Sequence, residues 1–423
     1  MIRNLKEISA FIIYLLPFLI VSGPLLSDFA IVLVSIIFLF ICYKEKNFDL
    51  FKNKYFKIFV IFYLYILVRS LFTLELISIK SALFYFRFGI FALAINYYLQ
   101  NNIVSFKKFF YSLLILLVLV FFDSLYQYLF GVNIIGIQLF HSFRVSSFFG
   151  DELVLGSFTF RVLLLLIPLM IFFYSKKVLY LSITLILISL IIILSGERTA
   201  LALFLIFFIF FIFVFFNSNK SRFVSIAVFG SILLAIFYFN ENLRKRIIDA
   251  TLTSFVFENK YVAFSQVHIQ HYHSAFNMFK FNPIFGVGPK MYRLECADPK
   301  YSNYQILGSS PKILKNLNPD NPGQWACNTH PHSIVFQFLA ELGLIGTAFL
   351  FYFYYILIKK VLLNFFGKKK INDKSLILLQ FLIFLNFFPF LPYGNFLNNW
   401  LSIMNIFSIS LVGFIDDRKF KSN

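Results

Sequence analysis

Charged residues are scarce in this sequence. Asp, Glu, Lys and Arg make up only 13% of its 423 residues, whereas 60% are hydrophobic. Because an ordinary soluble domain carries about 25% charged residues, this composition excludes a soluble globular protein. The sequence also lacks internal repeats, low-complexity linkers and any sign of an appended soluble domain. It therefore predicts a polytopic membrane protein.

Apolar runs that can cross about 30 Å of hydrocarbon as a helix recur along the chain. We predict an all-α integral membrane fold of about twelve transmembrane helices, with one large external loop between the ninth and the tenth. The first run follows basic residues as a signal peptide would, but no small-residue cleavage site follows it, so we expect an uncleaved helix. The predicted spans are Ile8–Ser22, Leu25–Tyr43, Tyr55–Thr73, Ser81–Leu99, Phe109–Phe130, Gly156–Tyr174, Val178–Ser195, Thr199–Phe216, Phe223–Phe239, Ser333–Ile358, Ser375–Leu391 and Phe396–Ile415.

Basic residues cluster on one side of this layout, together with the N-terminus. Such connections face the cytoplasm, so both termini are expected there. This distribution accounts for most of the formal charge of +19, and no nucleic-acid partner is needed to explain it. The layout divides the chain into residues 1–239 (transmembrane helices 1–9), residues 240–332 (an external loop with a surface helix) and residues 333–423 (transmembrane helices 10–12 and a cytoplasmic tail).

The external side carries the residues suited to chemistry. All six histidines map to external loops or their edges, which favours an external active or binding surface. Cys296 and Cys327 share the long external loop, where an oxidising compartment permits a disulfide between them; two free thiols are the alternative. The histidines are His141, His268, His271, His273, His330 and His332.

Two histidines stand where the external loop meets the tenth span. Pro331 is favoured at the first position of a helix, which predicts His330 as the cap and His332 in the opening turn. The positive end of the helix dipole lowers the pKa of a nearby imidazole and keeps it neutral. We therefore predict His332 as a general base, while a structural cap contact suits His330.

A second motif, Ser195-Gly196-Glu197-Arg198-Thr199-Ala200, lies at an external break between two spans. Arg198 stands at the entrance of the next helix, where backbone N–H groups already favour an anion. A guanidinium there predicts diphosphate recognition, and the alternative is an arginine that extends to the membrane edge.

Three further arginines fall inside hydrophobic spans or close to their ends. Because each is costly in hydrocarbon, they predict a polar interior, either as a substrate site or as buried ion pairs. The arginines are Arg69, Arg87 and Arg161, and the carboxylates predicted as their partners are Glu75, Asp123 and Glu341.

A metal centre is not predicted. His268 and His271 share a helix face, but His273 lies about 200° of rotation further round. The external loops also lack an acidic pair at the spacing of metal-dependent transferases. We expect no required metal and no cofactor.

The ordered motifs resemble the O-antigen ligase superfamily, which also contains O-antigen polymerases. SGERTA is followed by NPIFGVGPKMYR at residues 282–293, and THPHS at 329–333 precedes ELGLIG at 341–346. The resemblance covers about Phe149 to Tyr355. It implies a glycosyltransferase with the fold of lipid-carrier-dependent enzymes and a polyprenyl (undecaprenyl) diphosphate-linked glycan as donor.

The resemblance also assigns roles to residues. The family's functional histidine corresponds to His332 and its external arginine to Arg198. Ser333 stands where many members have Asn, and His268 stands where many carry a second arginine. We expect Lys280, Lys290, Arg293 or Arg161 to replace that arginine. The full predicted substrate-binding set is His330, Arg161, His268, Lys290, Arg293 and Glu341.

The function expected from this resemblance is that of an inverting, metal-independent ligase in the bacterial inner membrane. It would move a glycan from the carrier to a lipid A core sugar in lipopolysaccharide biosynthesis, with membrane lipids around it and no nucleic-acid partner. An O-antigen polymerase, which joins carrier-linked repeat units, is the first alternative. A transporter of polysaccharide or lipid-linked sugar is the second, although its usual repeated halves are missing.

Overall fold

The computed structural model describes residues 1–139, 144–174, 178–254, 256–257, 260–261, 266–301, 327–366 and 373–420. These segments are almost entirely helical, with short 3₁₀ turns at Asp49–Lys52 and Ser147–Phe149, a π-helical turn at Lys245–Asp249, and one antiparallel hairpin of β1 (Val256–Phe257) and β2 (Lys260–Tyr261). The helices are α1 (Ile2–Val21), α2 (Pro24–Glu45), α3 (Lys54–Leu71), α4 (Leu76–Leu83), α5 (Phe86–Gln100), α6 (Phe106–Phe130), α7 (Leu155–Tyr174), α8 (Val178–Ser195), α9 (Arg198–Phe215), α10 (Asn219–Phe239), α11 (Glu241–Arg244), α12 (Ala250–Ser254), α13 (Gln266–Phe281), α14 (Tyr292–Glu295), α15 (Ile334–Phe366), α16 (Lys374–Asn386) and α17 (Asn399–Phe420).

Nine helical stretches among the described residues are long and apolar enough to cross a membrane. They correspond to α1, α2, α4 with α5, α6, α7, α8, α9, α10 and α15. The other three predicted spans fall on α3, which contains three basic residues, and on α16 and the apolar part of α17, which are shorter. The membrane class is confirmed, whereas the count of twelve and the placement of the large loop stay predictions.

Helix α7 lies at the centre of the packing. Nearly every residue from Leu155 to Ile171 is buried, and the helix packs against α6, α8, α9 and α16. By contrast, α10 has no buried residue. Because α7 is enclosed on all sides, the polar side chain of Arg161 must be accommodated inside the protein.

Helix α15 is broken where the ELGLIG motif meets the NPIFGVG turn. Gly343 has φ 61° and ψ −160°, and the turn supplies the hydrogen bonds that the break frees. Leu344 N donates to Pro283 O at 2.8 Å, and Gly288 N donates to Glu341 O at 2.8 Å. The two motifs that the sequence places about 55 residues apart are therefore one structural unit, which fixes the turn after α13 to the break in α15.

Replacing Gly343 with alanine should destabilise the protein. Its backbone conformation is open essentially to glycine alone, and holding another residue there costs about 1–3 kcal/mol. The added Cβ would also lie 2.4 Å from Ile284 O. We expect a lower melting temperature of the detergent-solubilised protein. Gly230→Ala on α10 is the matched control because a Cβ there meets open space. Equal melting temperatures for the two variants would contradict this role.

The described residues from α13 to the start of α15 have a small hydrophobic core of their own. The ring of Tyr272 on α13 stacks on Phe336 of α15 with centroids 4.8 Å apart, and a disulfide joins Cys296 to Cys327, whose Cα atoms are 5.1 Å apart. These contacts hold α13 and the THPHS turn against the start of α15. The buried members are Ala275, Met278, Val287, Met291, Tyr292, Cys296, Tyr301 and Ala340.

Two of the arginines within spans have partners other than the carboxylates that the sequence predicted. Arg69 donates to the carbonyl of Gly286 at 2.7 and 3.1 Å, so it supports the NPIFGVG turn. Arg87 pairs with Asp28 at 3.3 Å and donates to Asn399 Oδ1 at 2.9 Å. Neither bonds to a carboxylate that the sequence suggested.

Arg161 donates to the carbonyl of Ser157 on its own helix at 2.8 Å. Among the described residues, Glu75, Asp123 and Glu341 form no ion pair with any of the three arginines. The predicted pairing was wrong because backbone carbonyls inside the protein can accept from an arginine in place of a carboxylate. Sequence periodicity does not reveal which carbonyls are available.

Candidate active site

His332 precedes its helix. The prediction that Pro331 opens the helix was wrong: α15 begins at Ile334, and Ser333 is its cap, accepting from Phe336 N on Oγ at 3.4 Å. His332 has φ +56°, a left-handed conformation that is costly for a residue with a side chain. Its carbonyl accepts from Tyr393 N at 3.0 Å, which helps to hold this conformation.

Four imidazole rings meet at this turn. The ring centroid of His332 lies 4.3 Å from that of His330 and 5.4 Å from those of His268 and His271 on α13. His273 lies outside the group and contacts Asn277 through Nδ1 at 3.3 Å, as its position on the helix predicts. His141 lies outside the described residues. Among the α13 histidines, His271 is only 2% exposed, so it is neither solvated nor at the surface.

The hydrogen bonds of this turn assign a neutral tautomer to His332. The Asn328 side-chain amide nitrogen lies 2.9 Å from His332 Nε2, and since that nitrogen only donates, Nε2 accepts and the ring proton lies on Nδ1. His330 Nε2 donates to the carbonyl of Tyr393 at 3.1 Å. His332 therefore presents a lone pair toward the exposed Asn328, while His330 is tied to the backbone.

Burial keeps these rings uncharged. It lowers the pKa of His332 to about 4, with a smaller contribution from His268, and lowers the pKa of His271 and of His330 to about 3. The predicted direction is correct for His332, but the main cause is desolvation rather than the helix dipole. A pKa of about 4 is low for a general base, so a neighbouring negative charge would be needed to raise it.

Arg198 opens α9, directly after the turn that Gly196 makes with φ 63°. Its Nη1 donates to Ala250 O at 2.7 Å and to Ser254 Oγ at 3.2 Å, so α12 holds it in place. The preceding Glu197 turns its carboxylate toward α7, where it accepts from the amides of residues 156 and 157 at 2.6 and 3.1 Å.

Two arginines that the sequence analysis did not single out flank the same turn. Arg144 Nε donates to Ser195 O at 3.2 Å, and Arg246 Nε donates to Gly196 O at 3.3 Å. A Cβ at Gly196 would lie 3.4 Å from Cγ of both Arg144 and Arg246, so these two side chains converge on the turn. Burial and the charges of Arg246 and Arg198 lower the pKa of Arg144, while the Glu197 carboxylate acts in the opposite direction. Both residues lie in segments that the sequence analysis assigns to the external side, where basic residues are exceptions to the positive-inside rule, and that exception was the available signal.

His268 connects the arginines to the histidines. Burial, followed by the charge of Arg198, lowers the pKa of His268, and its ring lies 5.4 Å from that of His332. Arg198 thus acts electrostatically on His268, whose ring adjoins that of His332, and we call these three residues the row, with a cationic end at Arg198 and a neutral imidazole end at His332.

The other predicted site residues have varied positions. Arg293 Nη2 donates to the Thr329 carbonyl at 3.3 Å and so supports the THPHS turn. Arg161 lies in a narrow cavity beneath Tyr393, with its guanidinium 5.5 Å from that ring. Glu341 is buried on α15 and accepts from Gln337 Nε2 at 3.0 Å, a position that suits structural support. Lys290 lies in a separate cavity, described below.

Helices that are long and apolar enough to cross a membrane define this protein as a multi-pass membrane protein, and its described residues bring imidazoles and guanidiniums together. Residues 183–351 match the family model described as O-antigen ligase, and the resemblance drawn from the motifs is thereby confirmed. The match runs from α8 to α15 and includes Arg198, the NPIFGVG turn and His332. This family is one of glycosyltransferase-like membrane enzymes that use lipid-linked glycans. No curated protein matches the chain.

Proposed function

We propose that the protein transfers a glycan from a polyprenyl diphosphate carrier to a sugar hydroxyl of a lipid A core on the external face of the inner membrane. The row from Arg198 through His268 to His332 carries this proposal. It puts a strongly positive site for the leaving diphosphate beside a base for the incoming hydroxyl. The O-antigen ligase match over residues 183–351 gives the same class of reaction.

The reaction is a single displacement. The acceptor hydroxyl takes the place of the Asn328 amide and donates to His332 Nε2, while its oxygen attacks the anomeric carbon. The new bond to that carbon forms as the bond from carbon to the diphosphate oxygen breaks. The electron pair leaves on the diphosphate and the proton passes to His332, so configuration at the anomeric carbon is inverted.

Donor binding makes His332 a better base. Its low pKa comes from burial among other imidazoles, and an anion nearby stabilises imidazolium and raises the pKa. We call Arg144, Arg198 and Arg246 the arginine group. A diphosphate held by this group would therefore increase the basicity of His332 only when the donor is present. Because His332 becomes more basic only after the donor binds, an alcohol that enters the site without donor is less readily deprotonated.

Arg144 and Arg246 take the role of the second family arginine. The sequence offers Lys280, Lys290, Arg293 or Arg161 for it, but Arg144 and Arg246 flank the turn that carries Arg198. Guanidiniums bind phosphate oxygens in a bidentate manner, and three of them around one turn match a diphosphate.

A chelator should leave the transfer rate unchanged. Among the described residues, no group of three or more His, Cys, Asp or Glu side chains is arranged to hold a metal ion, even though four histidines meet at the THPHS turn. Three arginines supply the positive charge that metal-dependent transferases take from a cation. The measurement is the initial rate with and without EDTA. A rate lost with EDTA and restored by one divalent metal would overturn this part of the mechanism.

Reconstitution with defined acceptors tests the function. Purified protein receives a labelled polyprenyl diphosphate glycan and either lipid A core or a second carrier-linked unit. We expect labelled glycan on the lipid A core. Extension of the carrier-linked unit alone would indicate a polymerase, and labelled substrate that crosses vesicles without a new glycosidic bond would indicate a transporter.

A further inference from the structure

A cavity of about 250 Å³ lies apart from the arginine group, between the α4–α5 helices and the segment that leads into α17. Three of its lining residues are basic, and one of them, Arg87, pairs with Asp28. The lining residues are Ile77, Lys80, Ser81, Phe84, Tyr85, Arg87, Phe88, Lys290, Leu397 and Asn399.

The three cations of this cavity keep hydrogen-bond donors that have no acceptor among the described residues. Arg87 pairs with Asp28, but its Nε is buried without a hydrogen-bond partner. Lys290 is half-buried with φ +58°, and within the described part of the chain the amino groups of Lys80 and Lys290 enter no hydrogen bond or ion pair. Burial, then the charge of Arg293, lowers the pKa of Lys290, while the carboxylates of Glu341 and Asp28 act in the opposite direction. Lys80 is exposed, but Arg87 and Lys290 are partly buried. Burying a cation without enough acceptors is costly, so an anion in the cavity would be stabilising.

The cavity adjoins the catalytic turn. The segment from Tyr393 to Asn399 contributes Leu397 and Asn399 to the cavity, while at its other end the Tyr393 backbone bonds to His330 and His332. The turn that carries Lys290 is hydrogen-bonded to α15, the helix that His332 precedes. Two segments that line the cavity are thus also bonded to the turn or the helix that holds His332.

We infer that this cavity binds a phosphate group of the acceptor glycolipid, with Lys80 and Lys290 as its ligands and Arg87 as support. The inference rests on the proposed function, because it assigns the donor diphosphate to the arginine group and the acceptor to this cavity. Ammonium groups on flexible stems suit a phosphate whose sugar must remain free to move. Holding the acceptor by an anion remote from the reacting hydroxyl orients that hydroxyl toward His332 Nε2.

Binding of lipid A core to the purified full-length protein in neutral-lipid nanodiscs tests the inference without catalysis. The ligands are the phosphorylated lipid A core, the same glycolipid after dephosphorylation, and phosphatidylglycerol as a phospholipid anion. The protein variants are Lys80→Gln and Lys290→Gln, which keep most of the side-chain stem. Lys300→Gln is the control, since Lys300 is exposed and lies over Phe281, outside the cavity.

We expect each cavity variant to weaken binding of the phosphorylated acceptor by about tenfold, as for the loss of a charge-assisted hydrogen bond. The dephosphorylated acceptor should bind weakly to every variant, and Lys300→Gln should bind like the wild type. In the transfer assay the acceptor KM should rise while the donor KM stays unchanged. Equal binding of both acceptor forms, or equally tight binding of phosphatidylglycerol, would overturn the inference. Failure of transfer with intact, lysine-dependent acceptor binding would instead count against the proposed reaction alone.

Discussion

Replacing His332 with alanine should lower kcat/KM for glycan transfer by about 10²–10⁴-fold, the usual contribution of a general base. The protein should still insert and bind donor, because the arginine group lies on other elements. His332→Asn is the sharper variant. Asparagine tolerates the φ of +56° far better than most residues, yet its amide does not take a proton at neutral pH. Transfer rates with purified protein and donor binding together separate chemistry from folding.

His273→Gln is the matched control for this prediction. It removes an imidazole from the same external helix, but the His273 ring contacts Asn277 rather than the four-histidine group. We expect this variant to keep nearly full activity. A His332→Asn enzyme as active as His273→Gln would remove His332 as the base.

The pH dependence of transfer gives an independent test of the same residue. Because burial lowers the pKa of His332 to about 4, the free enzyme keeps this imidazole neutral well below the usual range. On the acid side, kcat/KM should therefore stay flat down to about pH 5 and then fall, since that parameter reports the free enzyme. The acid limb of kcat, which reports the substrate complex, should lie at higher pH if bound diphosphate raises the pKa. A kcat/KM limb near an ordinary imidazole value would contradict the burial argument.

The sequence predicts the membrane class, most spans and the two ends of the site, since long apolar runs and ordered motifs are local signals. It does not predict that His268 and His271 lie against His332, because about 60 residues separate them along the chain. Pro331 was assigned to the helix on a local preference that the Ser333 cap overrides. The sequence does not indicate a role for Arg144, because its partner is a carbonyl in a turn that is distant along the chain.

The sequence also does not predict the partners of buried polar groups. For the arginines within spans, the sequence predicted a polar interior that serves either as a substrate site or as buried ion pairs, because a charge in hydrocarbon needs a partner. The structure satisfies Arg69 with a backbone carbonyl of the NPIFGVG turn, which is free to accept because the turn leaves the helical pattern. Composition and periodicity show that a polar interior exists, but the choice between carboxylate and carbonyl depends on where helices break in three dimensions.

Replacing Arg198 with alanine should lower kcat by about 10²–10³-fold, the usual effect of removing a donor that stabilises charge in the transition state. Arg198→Lys should recover part of the loss, because the charge remains while the bidentate geometry is lost. The effects of Arg144→Ala and Arg246→Ala should be smaller. In double variants with Arg198→Ala, the effects of Arg144→Ala and Arg246→Ala on kcat should not be additive, since the three guanidiniums lie around one turn and share one anion.

The control for the arginine series is Arg222→Ala. Arg222 bonds to the Phe216 carbonyl between α9 and α10, so this variant removes a guanidinium without touching the Gly196 turn. Measuring kcat with saturating acceptor, together with donor binding, distinguishes leaving-group stabilisation from loss of the fold. Loss of kcat with retained donor binding would assign Arg198 to the transition state. If Arg198→Ala and Arg222→Ala proved equally active, the positive end of the row would have no role in departure of the diphosphate, and the general base would have to act without an anion to raise its pKa.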